Sequence, residues 1–275
     1  MTDRNPVLRA NISSIDVLPG MATRTTAETL APAPTTTDGG RLRTLLVASG
    51  LLGAAVVGGV AVLETFRLVQ AAVYGEDFLL TFAVGGTLST LFLFVLAFAY
   101  LRGHPIAVPV RRPSRRQLGW VGVGIVAPLL AGVVLSMVGS VLGVGDATNG
   151  LDSVAAANPV LVYSLAFVSV LVLIAPAEEL LFRGVVQGRL RETFGPVAAI
   201  GVTSVGFALA HVATYWWGGS EVISAGVGLS LLSIAITSVV FGAIYEHTRN
   251  LTVVVLAHGL FNALLIAVSL AVALS

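Results

Sequence analysis

Residues 159–183 read PVLVYSLAFVSVLVLIAPAEELLFR. Pro159–Ala175 carries no charge, and a helix of roughly 17–25 apolar residues is what crosses a bilayer. The run ends in Glu178, Glu179 and Arg183. An ionisable side chain at membrane depth costs roughly 3 kcal/mol or more unless it is paired or wetted. Two further groups of this kind, His211 and His258, sit in apolar runs downstream. The stretch therefore reads as a membrane span that delivers carboxylates to a polar site shared with other spans.

Six other runs of the same kind surround it: Thr44–Leu63, Phe78–Leu101, Gly119–Gly143 with a kink expected at Pro128, Pro196–Thr214, Val222–Tyr245 and Leu251–Leu274. Across all 275 residues 56% are hydrophobic and 11% charged, against about 25% charge in a soluble domain. The predicted fold is all-α, a polytopic transmembrane helix bundle of about seven spans behind a disordered N-terminal tail. That tail, residues 1–40, is polar and rich in Thr, Ala and Pro, and is expected to be cytoplasmic. There are no cysteines, so disulfides and thiolate metal ligands are excluded. A metal here falls to His, Glu, Asp or Asn.

All 15 basic residues are arginine, and they alternate along the chain. Arg41 and Arg43 precede the first span. Arg102, Arg111, Arg112, Arg115 and Arg116 follow the second, Arg189 and Arg191 the fourth, and Arg249 the sixth. The intervening loops hold Glu76, Asp77, Asp146, Asp152 and Glu221, with Arg67 as their single arginine. This bias predicts a cytoplasmic N-terminus and an external C-terminus in the cell membrane, and it favours seven spans over six or eight. Between the fourth and fifth spans, Leu180–Phe194 reads either as an amphipathic helix at the interface or as a plain extension of the fourth span.

Three strings carry chemistry. In Glu178-Glu179-Leu180-Leu181-Phe182-Arg183, Glu179 and Arg183 stand four apart and share a helical face, whereas Glu178 is rotated about 100° away. Phe207-Ala208-Leu209-Ala210-His211 lies in the fifth span. His258-Gly259-Leu260-Phe261-Asn262 puts His258 and Asn262 on one face of the seventh. His104 and His247 are read as solvated loop residues. Spans drawn as above leave the groups at different depths: Glu178 at a cytoplasmic end, His211 near an outer end, and His258 about two turns in. Convergence requires a longer or tilted fourth span, or different boundaries for the fourth and fifth.

Taken in order on late membrane helices, E-E-x-x-x-R, F-x-x-x-H and H-x-x-x-N resemble the CPBP intramembrane metalloproteases, which include the CAAX prenyl-protein endoproteases and bacteriocin-processing relatives. The resemblance covers roughly residues 155–274. It implies intramembrane peptide-bond hydrolysis, with Glu178 as the general base that activates a water. His211, His258 and Asn262 would hold that water and steady the oxyanion, while Glu179, Arg183 and Phe207 support the site. It also implies a divalent metal, zinc first, on His211 and His258 with Glu178 and Asn262 as further ligands. A water activated by Glu and His alone is the variant without it. The chain then divides into the tail 1–40, N-terminal transmembrane helices 41–150 and a catalytic core 151–275. The implied partners are the bilayer and a membrane-embedded or lipidated peptide: a prenylated C-terminal peptide, a leader peptide or a membrane-anchored regulator. No nucleic-acid partner is expected.

Other chemistries fit less well. The sequence lacks H-E-x-x-H and G-x-S-G, which mark other intramembrane proteases. Gly143-Val144-Gly145-Asp146 matches the G-x-G-D of aspartyl types, but it reads as a turn after the third span. A non-catalytic scaffold or immunity-type protein is the alternative class. An ion-coupled transporter is a further one, disfavoured because the polar strings all lie in the second half, without repeat symmetry.

Overall fold

The computed structural model describes residues 38–275 except Asp146. Residues 1–37, most of the expected tail, lie outside the described residues, as does the aspartate of the G-x-G-D string. The described chain is helical, and seven helices are long and apolar enough to cross a membrane. They are α1 (Asp38–Tyr74), α2 (Phe78–Gly103), α3 (Arg115–Leu142), α5 (Pro159–Arg191), α6 (Pro196–Trp217), α7 (Ala225–Thr248) and α8 (Leu251–Ala273). A short helix, α4 (Gly150–Ala155), links α3 to α5.

Local chemistry sets the boundaries. A capping box opens α3: Ser114 Oγ accepts from the Gln117 amide while Gln117 Oε1 accepts from the Ser114 amide. Asn149, Asn158, Ser224 and Asn250 cap α4, α5, α7 and α8. Pro159 and Pro196 occupy first-turn positions where a missing N–H costs nothing. Gly143, at φ 68°, closes α3 in the left-handed conformation. Helix α3 runs on through Pro128.

The departure from expectation that moves the site is α5. It does not stop at Ala175 but continues for 33 residues to Arg191. Two wide π-helical turns, Val170–Ile174 and Leu180–Gln187, flank the segment Ala175–Glu179. Pro176 lacks an N–H and its ring crowds the preceding turn; the wide turn just before it is where that strain is accommodated. All eight residues of Leu180–Gln187 are buried, so this stretch is a helical extension inside the bundle and not an interfacial helix. The consequence is positional. Glu178 is not at a helix end; it stands some 13 residues, about 20 Å, before Arg191. The depth conflict created by a short fourth span disappears.

Helix α7 packs on α3 and α6, and α8 packs on α3, α5 and α7. Helix α2 lies against α5 and is backed by α1, which also touches α6. A single core cluster links these helices, from Ala48 and Ala97 through Leu181, Val185 and Leu190 to Phe241, Ile244 and Val254. Outward side chains such as Leu46, Val57, Leu130, Val133, Val172 and Val268 are apolar and exposed, the surface a multi-pass membrane protein turns to lipid.

Contacts sort the loops into two ends. At one end Thr44 bonds Thr193, Arg191 bonds Glu246, Gln117 reaches the Thr248 carbonyl and Asn250 receives the Arg111 amide. At the other, Arg67 pairs with Glu64 and Glu76, Ser220 reaches the Thr148 carbonyl, and Tyr163 donates to Asp152. These groupings follow the arginine-rich and acidic loops of the sequence. Exposed His104 stacks on Tyr100, and exposed His247 sits in the last turn of α7, not in a loop, against Trp120.

Candidate functional site

The site is assembled where α5, α6, α7 and α8 meet. Glu179 and Arg183, one helical turn apart on α5, are fully buried, and Arg183 Nη1 donates to Glu179 Oε1 at 3.1 Å. Burying such a pair is tolerable when further hydrogen bonds offset its desolvation; among the described residues Arg183 Nε has no partner, and the other nitrogens carry the contacts. Arg183 Nη2 donates to both the hydroxyl (2.9 Å) and the carbonyl (3.1 Å) of Ser238 on α7. The guanidinium also lies 4.9 Å from the Phe207 ring centroid and 5.8 Å from that of Phe241, close enough for cation–π attraction.

Glu179 has a second partner. Its Oε1 lies 2.7 Å from His258 Nδ1. An ionised carboxylate only accepts, so the proton of this contact belongs to Nδ1. That choice leaves the Nε2 lone pair on the opposite edge of the ring, where Asn262 Nδ2 donates to it at 2.9 Å. Glu178 Oε2 lies 3.7 Å from the same Nε2, too long for a hydrogen bond. His258 itself is nearly buried and stacks on Phe241 at 5.1 Å. Glu178 remains partly open, at 16% side-chain exposure.

Thus Glu178, Glu179, Arg183, His258 and Asn262 come together. His211 joins less directly. It stands at the break between the two helical segments of α6, with Nδ1 bonded to the Phe207 carbonyl at 2.8 Å. The Phe207 ring lies beside both imidazoles, 4.8 Å from His211 and 6.0 Å from His258. Among the described residues His211 makes no ion pair.

The donor chemistry suits a divalent cation, since each imidazole has its Nδ1 engaged in the manner of metal-bound histidines. The spacing does not. Catalytic zinc needs three protein donors around one point, and among the described residues no group of three His, Cys, Asp or Glu side chains is placed to hold a metal.

Two contributors were not legible beforehand. Ser238 is an unremarked hydroxyl in an apolar helix, and Phe241 is one aromatic among twelve phenylalanines. Their partners lie on α5 and α8, and no local pattern announces that contact.

With the geometry established, comparison with known proteins adds one finding. Residues 160–264 match the Rce1-like family, described as type II CAAX prenyl endopeptidase Rce1-like. That interval contains each of the site residues named above. No curated protein and no solved structure matches the chain.

Proposed function

We propose that this Rce1-like membrane protein is an intramembrane endopeptidase in which Glu178 activates a water against a peptide bond of a membrane-associated substrate. The observation that carries the reading is the disposition of His258: Nδ1 tied to buried Glu179, and Nε2 turned to Asn262 and Glu178. A water beside Glu178 Oε2 donates one hydrogen to it, and donates the other to His258 Nε2 once Asn262 turns its amide from that nitrogen to the substrate. Its lone pair is then free to attack the scissile carbonyl, while Glu178 takes the proton and returns it to the leaving amine. The Asn262 amide supplies an N–H for the developing oxyanion. His211, at the edge of the same space, is suited to orient the substrate or share that charge.

The family description brings a prenylated CAAX-type peptide as the first substrate to test. The arginine alternation, whose members gather at one end of the bundle, supports a cytoplasmic N-terminus. Zinc on His211 and His258, with Glu178 and Asn262 as further ligands, would be the metal form of the same reading and would need these residues drawn closer together than they stand.

Hydrolysis of a quenched, membrane-anchored peptide by purified protein tests the proposal, with prenylated and unprenylated forms side by side. Cleavage is expected from the wild type and not from folded Glu178→Gln or His211→Ala. Cleavage that survives both substitutions ends the assignment.

A further inference from the structure

Helices α5 and α7 are joined by three polar rungs. Arg183 bonds Ser238, Gln187 Nε2 bonds the Gly242 carbonyl at 3.2 Å, and Arg191 Nε bonds Glu246 at 2.9 Å. Each partner lies 55 residues further along, so both helices advance by four residues per rung. The lower rungs only tie the helices together, since neither Gln187 nor Arg191 touches the site. The upper rung ends on the group that holds Glu179.

That difference assigns a task. Arg183 is fully buried, so its orientation rests on the protein groups around it. Its place is set by Glu179 on one side and Ser238 on the other. Glu179 Oε1 accepts from both Arg183 and His258, while Oε2 has no partner among the described residues. The carboxylate is therefore held from one oxygen only, and its rotation follows the guanidinium. We infer that Ser238 is a positioning residue: it anchors Arg183, Arg183 sets Glu179, and Glu179 keeps the His258 proton on Nδ1 so that Nε2 faces Glu178. The inference deepens the proposed hydrolytic reading and rests on it for its consequence in catalysis, but the geometry of His258 can be read without turnover.

Ser238→Ala removes the hydroxyl and leaves the carbonyl, so Arg183 keeps one α7 acceptor and the bundle stays folded. Loss of this hydrogen bond to the guanidinium lowers kcat about tenfold, with KM unchanged. In protein carrying 15N-labelled histidine, the His258 signals, assigned by difference against His258→Gln, move from the Nδ1–H pattern to a mixture of tautomers. Ser238→Thr, which keeps the hydroxyl, restores both. Gln187→Leu cuts the neighbouring rung without touching Arg183; it lowers thermal stability and leaves the His258 spectrum in place. An unchanged His258 spectrum in Ser238→Ala overturns the inference, as does an equal change in Gln187→Leu. If the wild type cleaves no peptide, the hydrolytic reading falls while the spectra still decide the role of Ser238.

Discussion

Helix α5 and helix α2 are both apolar enough to span a membrane, yet every residue from Glu179 to Gln187 of α5 is buried, whereas α2 buries only Gly85 and Ala97. Polar side chains account for the contrast. Thr87 and Thr90 of α2 donate to carbonyls four residues back in their own helix, and so ask nothing of neighbours. Ser89 reaches the Gly59 carbonyl and Thr81 Oγ1 donates to Gln70 Oε1, both on α1. In α5, Glu179, Arg183 and Gln187 find their partners on α7 and α8. A bilayer accepts either helix by its grease. The unsatisfied polar groups decide which one must sit in the middle, because hydrocarbon offers them nothing.

The sharpest way to break this comparison is Arg183→Leu. It strands the Glu179 carboxylate in the core, and removing one partner of a buried pair costs about 3–5 kcal/mol. Chemical unfolding in detergent should show that loss; wild-type stability would mean the polar residues of α5 do not hold it in place. Glu178→Gln separates chemistry from architecture on the same helix. It should slow peptide hydrolysis by about 10²–10⁴-fold, the span of general base contributions, with the unfolding transition unmoved. Gly242→Ala probes the α5–α7 seam, since a Cβ there would meet Gln187 Oε1 and Ile200 at 3.1 Å. Overpacking of this kind costs about 1–3 kcal/mol, readable as a lowered melting temperature. Thr90→Val on α2 should change stability by no more than about 0.5 kcal/mol, as for surface substitutions generally. A larger loss would show that α2 carries hidden polar duties of its own.

Much of this was legible in one dimension. Seven apolar runs correspond to seven helices, and the arginine-rich loops come together at one end. Glu178, His258 and Asn262 were singled out from residue type and spacing, and they face one another. The extent of α5 was half legible: Leu180–Phe194 read either as an interfacial helix or as an extension of the fourth span. The choice fell to packing, because Arg183 is buried against Glu179 and Ser238. The role of Glu179 was only half visible. Its i,i+4 relation to Arg183 is local, but its bond to His258 spans 79 residues. His211 was expected at the centre and stands beside it, turned to the Phe207 carbonyl by the helix break at its own position.

What the amino-acid order determined by itself was the number of membrane helices, their alternating direction and the residue types proposed to act on a peptide bond. These depend on hydropathy over a helix length and on spacing within one turn, both local quantities. Only the tertiary structure decided that α5 continues past its glutamates, that Ser238 receives Arg183, and which imidazole nitrogen is left facing Glu178. Those depend on which surfaces of distant helices meet, and in a membrane that choice is made by the buried groups that must find partners.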